Sequence, residues 1–276
     1  MKLQSPATLR ARWRAGDFDR LAPRHLLRLA GLYALDRRGR RAYRELDEEE
    51  LLATRSGDTA FVFGSGRSLV DVTPGEWEAI ARCGTISLRE FPRQSWVRAD
   101  YHLTSEVDFL DEYAGRLREN PLYRDTVFVV QEGFWAQSGN GLVGRRLLTS
   151  GARVFRFRRT SRGRYSPPSR SPRTLVHGFN SIIDATNLAI ALGFRRIVLA
   201  GADYYNKEYF WLAPGEPRSY EKRGVEADSL FTGHDAIVSM LGDWRDLLAP
   251  EGVEVFVYNP RSLLAERLPV FRFDES

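Results

Sequence analysis

The residues that first invite a chemical reading are Gly64-Ser65-Gly66-Arg67-Ser68, which directly follow the apolar run 59–63. A glycine-rich turn at the end of a buried strand lets backbone N–H groups approach a phosphate or nucleotide. This one is shorter than the dinucleotide fingerprint, lacking its third glycine, and it has no P-loop lysine. Taken alone it also fits an ordinary strand-to-helix turn. Three further polar segments stand where one element hands over to the next: Asn180-Ser181, Asp203 to Tyr209, and Thr232-Gly233-His234. Loops at the carboxyl ends of parallel strands build the ligand crevice of an open α/β sheet. The four segments are therefore expected to meet there.

Such a meeting needs strands and helices in alternation. Thr59-Ala60-Phe61-Val62-Phe63 is apolar almost throughout, the pattern of a strand buried on both faces. The runs 85–88, 100–103, 126–131, 153–157, 196–201 and 253–258 read as further strands. Thr73 before Pro74 predicts a capped helix, and residues 107–119 predict another. Ile182, Ile183, Thr186, Ala189 and Ile190 mark one helical face ended by Gly193. Ile237, Val238, Leu241, Trp244 and Leu248 mark a second, broken at 250–252. The fold class is therefore α/β: a mainly parallel, Rossmann-like sheet with helices on both faces and a small lid or loop insertion. Residues 1–57 read as a basic helical N-terminal extension, with Leu26, Leu27, Leu29, Ala30 and Tyr33 at near-helical spacing. Residues 58–276 read as the Rossmann-like nucleotide-binding catalytic domain, with a mobile Arg/Ser/Pro-rich loop at about 158–176.

A chain of 276 residues suits one such domain with appendages. No apolar run of roughly eighteen residues predicts a membrane span. The N-terminus lacks an apolar signal core, so a cytoplasmic location is expected. Cys83 is the single cysteine, which excludes an internal disulfide and a cysteine-built metal site. The net charge of +5 hides two arginine-dense stretches, 10–44 and 145–173. Their partners would be phosphates, or anionic lipid at the inner face of a membrane. Aromatics are not interleaved with the basic runs, so no specific nucleic acid is expected. The Asp-x-Asp triplet 17–19 lies in the N-terminal segment, away from the expected crevice, and reads as surface.

Phe61-Val62-Phe63-Gly64-Ser65-Gly66-Arg67-Ser68-Leu69 resembles the cytidine-binding turn of the bacterial lipooligosaccharide sialyltransferases. The segment from Ala191 to Tyr205 is similar to the one carrying their first phosphate-binding tyrosine. Gly233-His234, and then Tyr258-Asn259-Pro260-Arg261-Ser262-Leu263-Leu264, resemble their catalytic histidine and C-terminal motif. The resemblance implies a glycosyltransferase moving a sugar acid from a CMP-activated donor to a glycan or glycolipid hydroxyl. It further implies inversion, no metal or other cofactor, and a homo-oligomer. His234 would be the general base, with Tyr205 and Tyr209 donating to the phosphate of departing CMP. Gly64, Ser65, Gly66, Ser68, Asn180, Ser181 and Asp203 would line the nucleotide site. An imidazole at a helix N-terminus is held neutral, as a base must be. Phenols suffice for a leaving group with a single phosphate.

Three positions depart from the family pattern. Ser65 stands where the family has asparagine, Arg67 where it has proline, and Arg89 near its second nucleotide-binding asparagine. Arg89 can instead bind a carboxylate or phosphate with its planar fork. The donor sugar is therefore sialic acid, Kdo or a relative. His102 and Glu106 are placed at the crevice from another strand end, and His177 and Arg173 beside Asn180. A weaker resemblance, to the archaeal-type 6-hydroxymethylpterin diphosphokinases, implies ATP and magnesium, with Asp203 and Glu106 recruited as carboxylates. A non-catalytic nucleotide-binding protein is the third reading.

Overall fold

The computed structural model describes residues 23–104, 107, 109–160, 166–178, 180–205, 208–216 and 234–273, with only the backbone of His234. The strands are β1 Arg44–Glu45, β2 Thr59–Phe63, β3 Gly84–Leu88, β4 Tyr101–Thr104, β5 Val127–Gln131, β6 Arg153–Thr160, β7 Thr174–Val176, β8 Arg196–Ala200 and β9 Glu254–Val257. The α-helices are α1 Pro23–Gly39, α2 Glu48–Ala53, α3 Pro74–Ile80, α4 Leu110–Glu119, α5 Gln137–Gly144, α6 Ser181–Ala191 and α7 His234–Leu248. Among the described residues the strands form one sheet in the order β1-β6-β5-β4-β3-β2-β8-β9, with β7 also on β6. Every ladder in it is parallel. The α/β, Rossmann-like reading holds.

Helices cover both faces because alternate strand residues face opposite ways. Ala60 and Val62 of β2 point into the core shared with Ile182, Ile183 and Leu188 of α6 and Ile237 and Leu241 of α7. Phe61 and Phe63 point the other way, into an aromatic cluster with Trp77 of α3 and Phe91. Phe63 stacks on Phe91 with ring centroids 4.4 Å apart. Thr73 and Glu76 form a reciprocal capping box at α3, with Pro74 in the first turn, as the residues predict.

The N-terminal segment differs from a wholly helical extension. After α1 the chain joins the sheet edge, where Arg44 and Glu45 pair with Arg153 and Val154. An ionic cluster holds it there. Arg156 of β6, almost fully buried, reaches Asp36 Oδ1 at 2.8 Å and Glu45 Oε1 at 2.6 Å. The expected loop also differs at both ends. β6 runs on to Thr160, and Thr174–Val176 return as β7 in register with Arg158 to Thr160. Helix α5 is unforeseen in the residues, since its sequence QSGNGLVG has low helix propensity. It forms because α1 crosses it closely. A Cβ on Gly144 would lie 2.7 Å from the Asp36 nitrogen. No helix among the described residues is long and apolar enough to cross a membrane.

His102 is not at the crevice. It stands on β4, fully buried, its Nδ1 2.7 Å from Ser87 Oγ and its Nε2 bonded to the Tyr113 hydroxyl. Its neighbours Tyr101 and Leu103 face the α6 side, so alternation sends its ring toward Tyr123 and Phe128. Burial lowers its pKa from 6.5 to about 3. Between those values the unfolded chain binds a proton that the folded chain does not. The contribution is therefore complete above pH 6.5 and is lost as the pH falls toward 3, by about 1.4 kcal/mol per unit at most. Denaturant unfolding at pH 7 and pH 5 should show this loss (about 2 kcal/mol), and the slope should flatten in His102→Gln. An unchanged slope in that variant would assign the pH dependence elsewhere.

Candidate active site

Strand order reverses at β2. The chain proceeds from β2 through β3 toward β6 on one side, then returns to lay β8 and β9 on the other. Such a switch point opens a crevice between the carboxyl ends of the flanking strands, here β2 and β8. Phe63 pairs with Ala200 in register, so Gly64 and Gly201 leave the sheet side by side. Gly64 N–H donates to the Ala200 carbonyl and Gly66 N–H to the Gly201 carbonyl, each at 2.7 Å. A Cβ on Gly64 would sit 2.2 Å from Gly201 O, and one on Gly66 would sit 2.3 Å from Asp203 Oδ2. Only glycine lets these backbones approach so closely.

Asp203 is the hub of the crevice floor. It is buried, and one carboxylate oxygen accepts from Ser68 N–H at 3.0 Å. The other accepts from Ser68 Oγ at 2.5 Å and from Asn259 Nδ2 at 3.0 Å. The Asp203 carbonyl accepts from Leu263 N–H at 3.1 Å, and Ser262 Oγ donates to the Ala202 carbonyl at 2.6 Å. One carboxylate thus ties together the turns after β2, β8 and β9. Asp203 and Ser68 act on each other here, below the surface that a ligand would meet.

The tyrosines divide their work. Tyr204, with φ +60°, turns back so that Asn180 Nδ2 donates to its hydroxyl at 2.6 Å. Burial raises its pKa, which keeps the phenol protonated. Tyr205 is exposed beside it, and its hydroxyl accepts from Asn259 Nδ2 at 3.3 Å. With that acceptor site filled, the Tyr205 hydrogen is directed elsewhere. The Arg261 guanidinium lies 5.8 Å from the Tyr205 ring centroid. Tyr209 forms an antiparallel bridge with Gly66 and stacks on Trp211 at 4.5 Å. Phe210 N–H donates to the Ser65 carbonyl at 3.2 Å. Segment 208–212 is thereby laid across the glycine turn.

Asn180 caps α6, its side chain accepting from Ile182 and Ile183 N–H, and Ser181 is buried in the first turn. Arg89 follows β3 at the same sheet edge, exposed, with φ +49°. A non-glycine residue in that region stores backbone strain. His234 opens α7, whose face of Ile237, Leu241 and Trp244 is buried as predicted. Thr232, Gly233 and Glu106 lie outside the described residues. Arg173 points away from Asn180, its guanidinium 5.2 Å from the Phe155 ring centroid and 3.8 Å from Glu48. Among the described residues no group of three His, Cys, Asp or Glu gathers as a metal site. Asn259 and Ser262 are organising residues that the sequence reading left unassigned, although both stand in a motif it quoted.

A parallel sheet covered on both faces, with a glycine turn at its switch point, defines a Rossmann-like α/β protein with a crevice at that point. No protein-family model matches the chain, and no curated protein matches it in sequence. Among solved structures it is similar to the monofunctional alpha-2,3-sialyltransferase Cst-I from Campylobacter jejuni. That match has a TM-score of 0.50 and 15% identity over 77% of this chain and 80% of that one. The sialyltransferase CstII from Campylobacter jejuni, in complex with the substrate analogue CMP-3FNeuAc, matches with a TM-score of 0.48 and 14% identity over 78% and 86%. The chain and Cst-I share a fold.

Proposed function

We propose that the chain is a glycosyltransferase. It moves a sugar acid, whether sialic acid, Kdo or a relative, from a CMP-activated donor to a glycan or glycolipid hydroxyl, with inversion and without a metal or other cofactor. The observation that carries this reading is the interlocked trio of turns at the switch point. They are Gly64 to Ser68, Asp203 to Tyr205 and Asn259 to Ser262, the segments in which the sequence resembles sialyltransferases. The fold shared with Cst-I supports it.

In this reading His234 takes the proton of the attacking hydroxyl, and the acceptor oxygen bonds to the anomeric carbon as the bond to CMP breaks. Charge then grows on the phosphate, where the Tyr205 and Tyr209 hydroxyls donate to it. Asn259 orients the Tyr205 hydroxyl by donating to it. Gly64, Ser65 and Gly66 face the nucleotide, with Ser68 and Asp203 bracing them from below. Ser181, at the start of α6, and Arg89 address the anionic groups. A magnesium-dependent diphosphate transfer is less well supported, because Asp203 is buried and already accepts from Ser68 and Asn259.

Thermal-shift measurements with CMP, CDP, UDP, ADP and ATP, with and without magnesium, test the reading. CMP without metal should stabilise selectively; a ligand at roughly a hundred times its Kd adds about 2.7 kcal/mol. Stabilisation only by ATP with magnesium would replace this reading with the diphosphokinase one.

Contact with an anionic membrane at the cytoplasmic face belongs to the same proposal. The outward side of α1 exposes Leu27 and Leu35 among Arg24, Arg28, Arg37 and Arg38, and its acid, Asp36, is buried. Anionic liposomes should retain the protein better than a variant with those four arginines changed to glutamine. Equal retention would remove this surface.

A further inference from the structure

His177 lies at the carboxyl edge of the sheet, directly after β7, with its N–H on the Thr160 carbonyl at 3.0 Å. Its Nδ1 is 2.9 Å from Asp184 Oδ1, on the first turn of α6. Asp184 is completely buried, and its other oxygen accepts from Arg159 Nη2 of β6 at 2.6 Å. The His177 side chain is 32% exposed. A carboxylate can only accept, so Nδ1 carries a hydrogen and Nε2 is the nitrogen left for a ligand. Among the described residues Nε2 has no hydrogen-bond partner. Nothing in the reaction as proposed uses this pair.

The surroundings place its loop beside the site. Gly178 packs against Met240 of α7, where a Cβ would lie 3.0 Å from the sulfur. Asn180 ties the same loop to Tyr204. Among the described residues the charged group bonded to His177 is Asp184 from α6, itself paired with Arg159 from β6, whereas α7 presents the uncharged Met240 at Gly178. Arg159 balances Asp184, so the cluster is neutral while the imidazole is neutral. Protonation leaves one net positive charge, on a ring held in place from behind by a buried carboxylate.

We propose that His177, held by Asp184, is a proton-coupled anion receptor of the crevice. An anionic oxygen that docks on Nε2 needs a donor there, so a proton from solvent adds to Nε2 as the anion binds, and the imidazolium bridges Asp184 and the ligand. The ligand class is a carboxylate or phosphate oxygen, which makes the site selective for acid sugars over neutral ones if the carboxylate is the group received. His177 is then a binding and specificity residue, separate from the base at 234. The inference rests on the nucleotide-sugar reading above.

Titration calorimetry of the full chain, near pH 7.5 in two buffers of different ionisation enthalpy, counts the protons taken up. The ligands are CMP and CMP-3FNeuAc, which share the cytidine and differ in the sugar carboxylate. Uptake of about one proton with CMP-3FNeuAc alone identifies the carboxylate, and uptake with both identifies the phosphate. In either case His177→Gln should abolish the uptake and weaken the ligand concerned roughly tenfold, about 1.4 kcal/mol. Equal uptake in wild type and His177→Gln, or no uptake by wild type while both ligands bind, would overturn the receptor and leave the nucleotide reading standing. Failure of wild type to bind either ligand would overturn both.

Discussion

Replacing His234 with alanine is expected to lower turnover roughly 10²- to 10⁴-fold, the range for loss of a positioned general base, while CMP stabilises the variant as it does the wild type. Position 234 is the first residue of α7, and the buried anchors of that helix begin at Ala236 and Ile237. The substitution therefore leaves the helix in place. Among the described residues, neither the glycine turn nor the Asp203 hub draws on α7 for its hydrogen bonds. Release of CMP from a CMP-sugar acid, followed with a panel of glycan acceptors, measures the loss, and a thermal shift with CMP shows whether the site is intact. Tyr205→Phe in the same assay should slow release by a smaller factor, since it removes one donor to the leaving phosphate and keeps the ring under Arg261. Undiminished turnover in both variants would take the proposed roles from these residues.

The second large effect is on Asp203. Changing it to alanine removes a buried acceptor from Ser68 N–H, Ser68 Oγ and the Asn259 amide at once. Each buried donor left without an acceptor costs about 1–3 kcal/mol, so unfolding stability should fall by roughly 3 kcal/mol or more. The turns after β2, β8 and β9 would lose their common anchor, and CMP should no longer shift the melting temperature. Denaturant unfolding and the thermal shift together test this. Near-wild-type stability with retained CMP binding would mean that the carboxylate is not what holds the crevice together. The expected phenotype differs from that of His234→Ala, where chemistry fails and binding persists.

The sheet is legible in the residues because most of its strands are buried on both faces. Runs such as 59–63 and 196–200 have no polar side to place in water, and Gly64 and Gly201 end them. The helical faces of α6 and α7 are equally plain, since one stripe of each must meet the sheet. Strand β1 is two residues long and carries only charge, and β7 sits in a Ser/Pro/Arg-rich context. Both exist because β6 offers them an edge, a long-range pairing that no local pattern encodes. Helix α5 likewise depends on α1 lying against its Gly144.

The candidate site divides in the same way. Which residues are proposed to carry chemistry, namely the glycine turn, the tyrosines, Asn180 and His234, is a matter of type and spacing within short segments. Their individual directions come from contacts between segments far apart in the chain. His102 turns into the core because β4 is covered on both sides. Asp203 faces down because Ser68 and Asn259 meet it there, and Asn259 then sets the Tyr205 hydroxyl. His177 gains its buried partner only when α6 folds back on β6 and β7. Local pattern identifies elements and residue types because burial acts on each segment's own periodicity. The sense of each polar side chain is decided by partners that only the assembled sheet brings within hydrogen-bond reach.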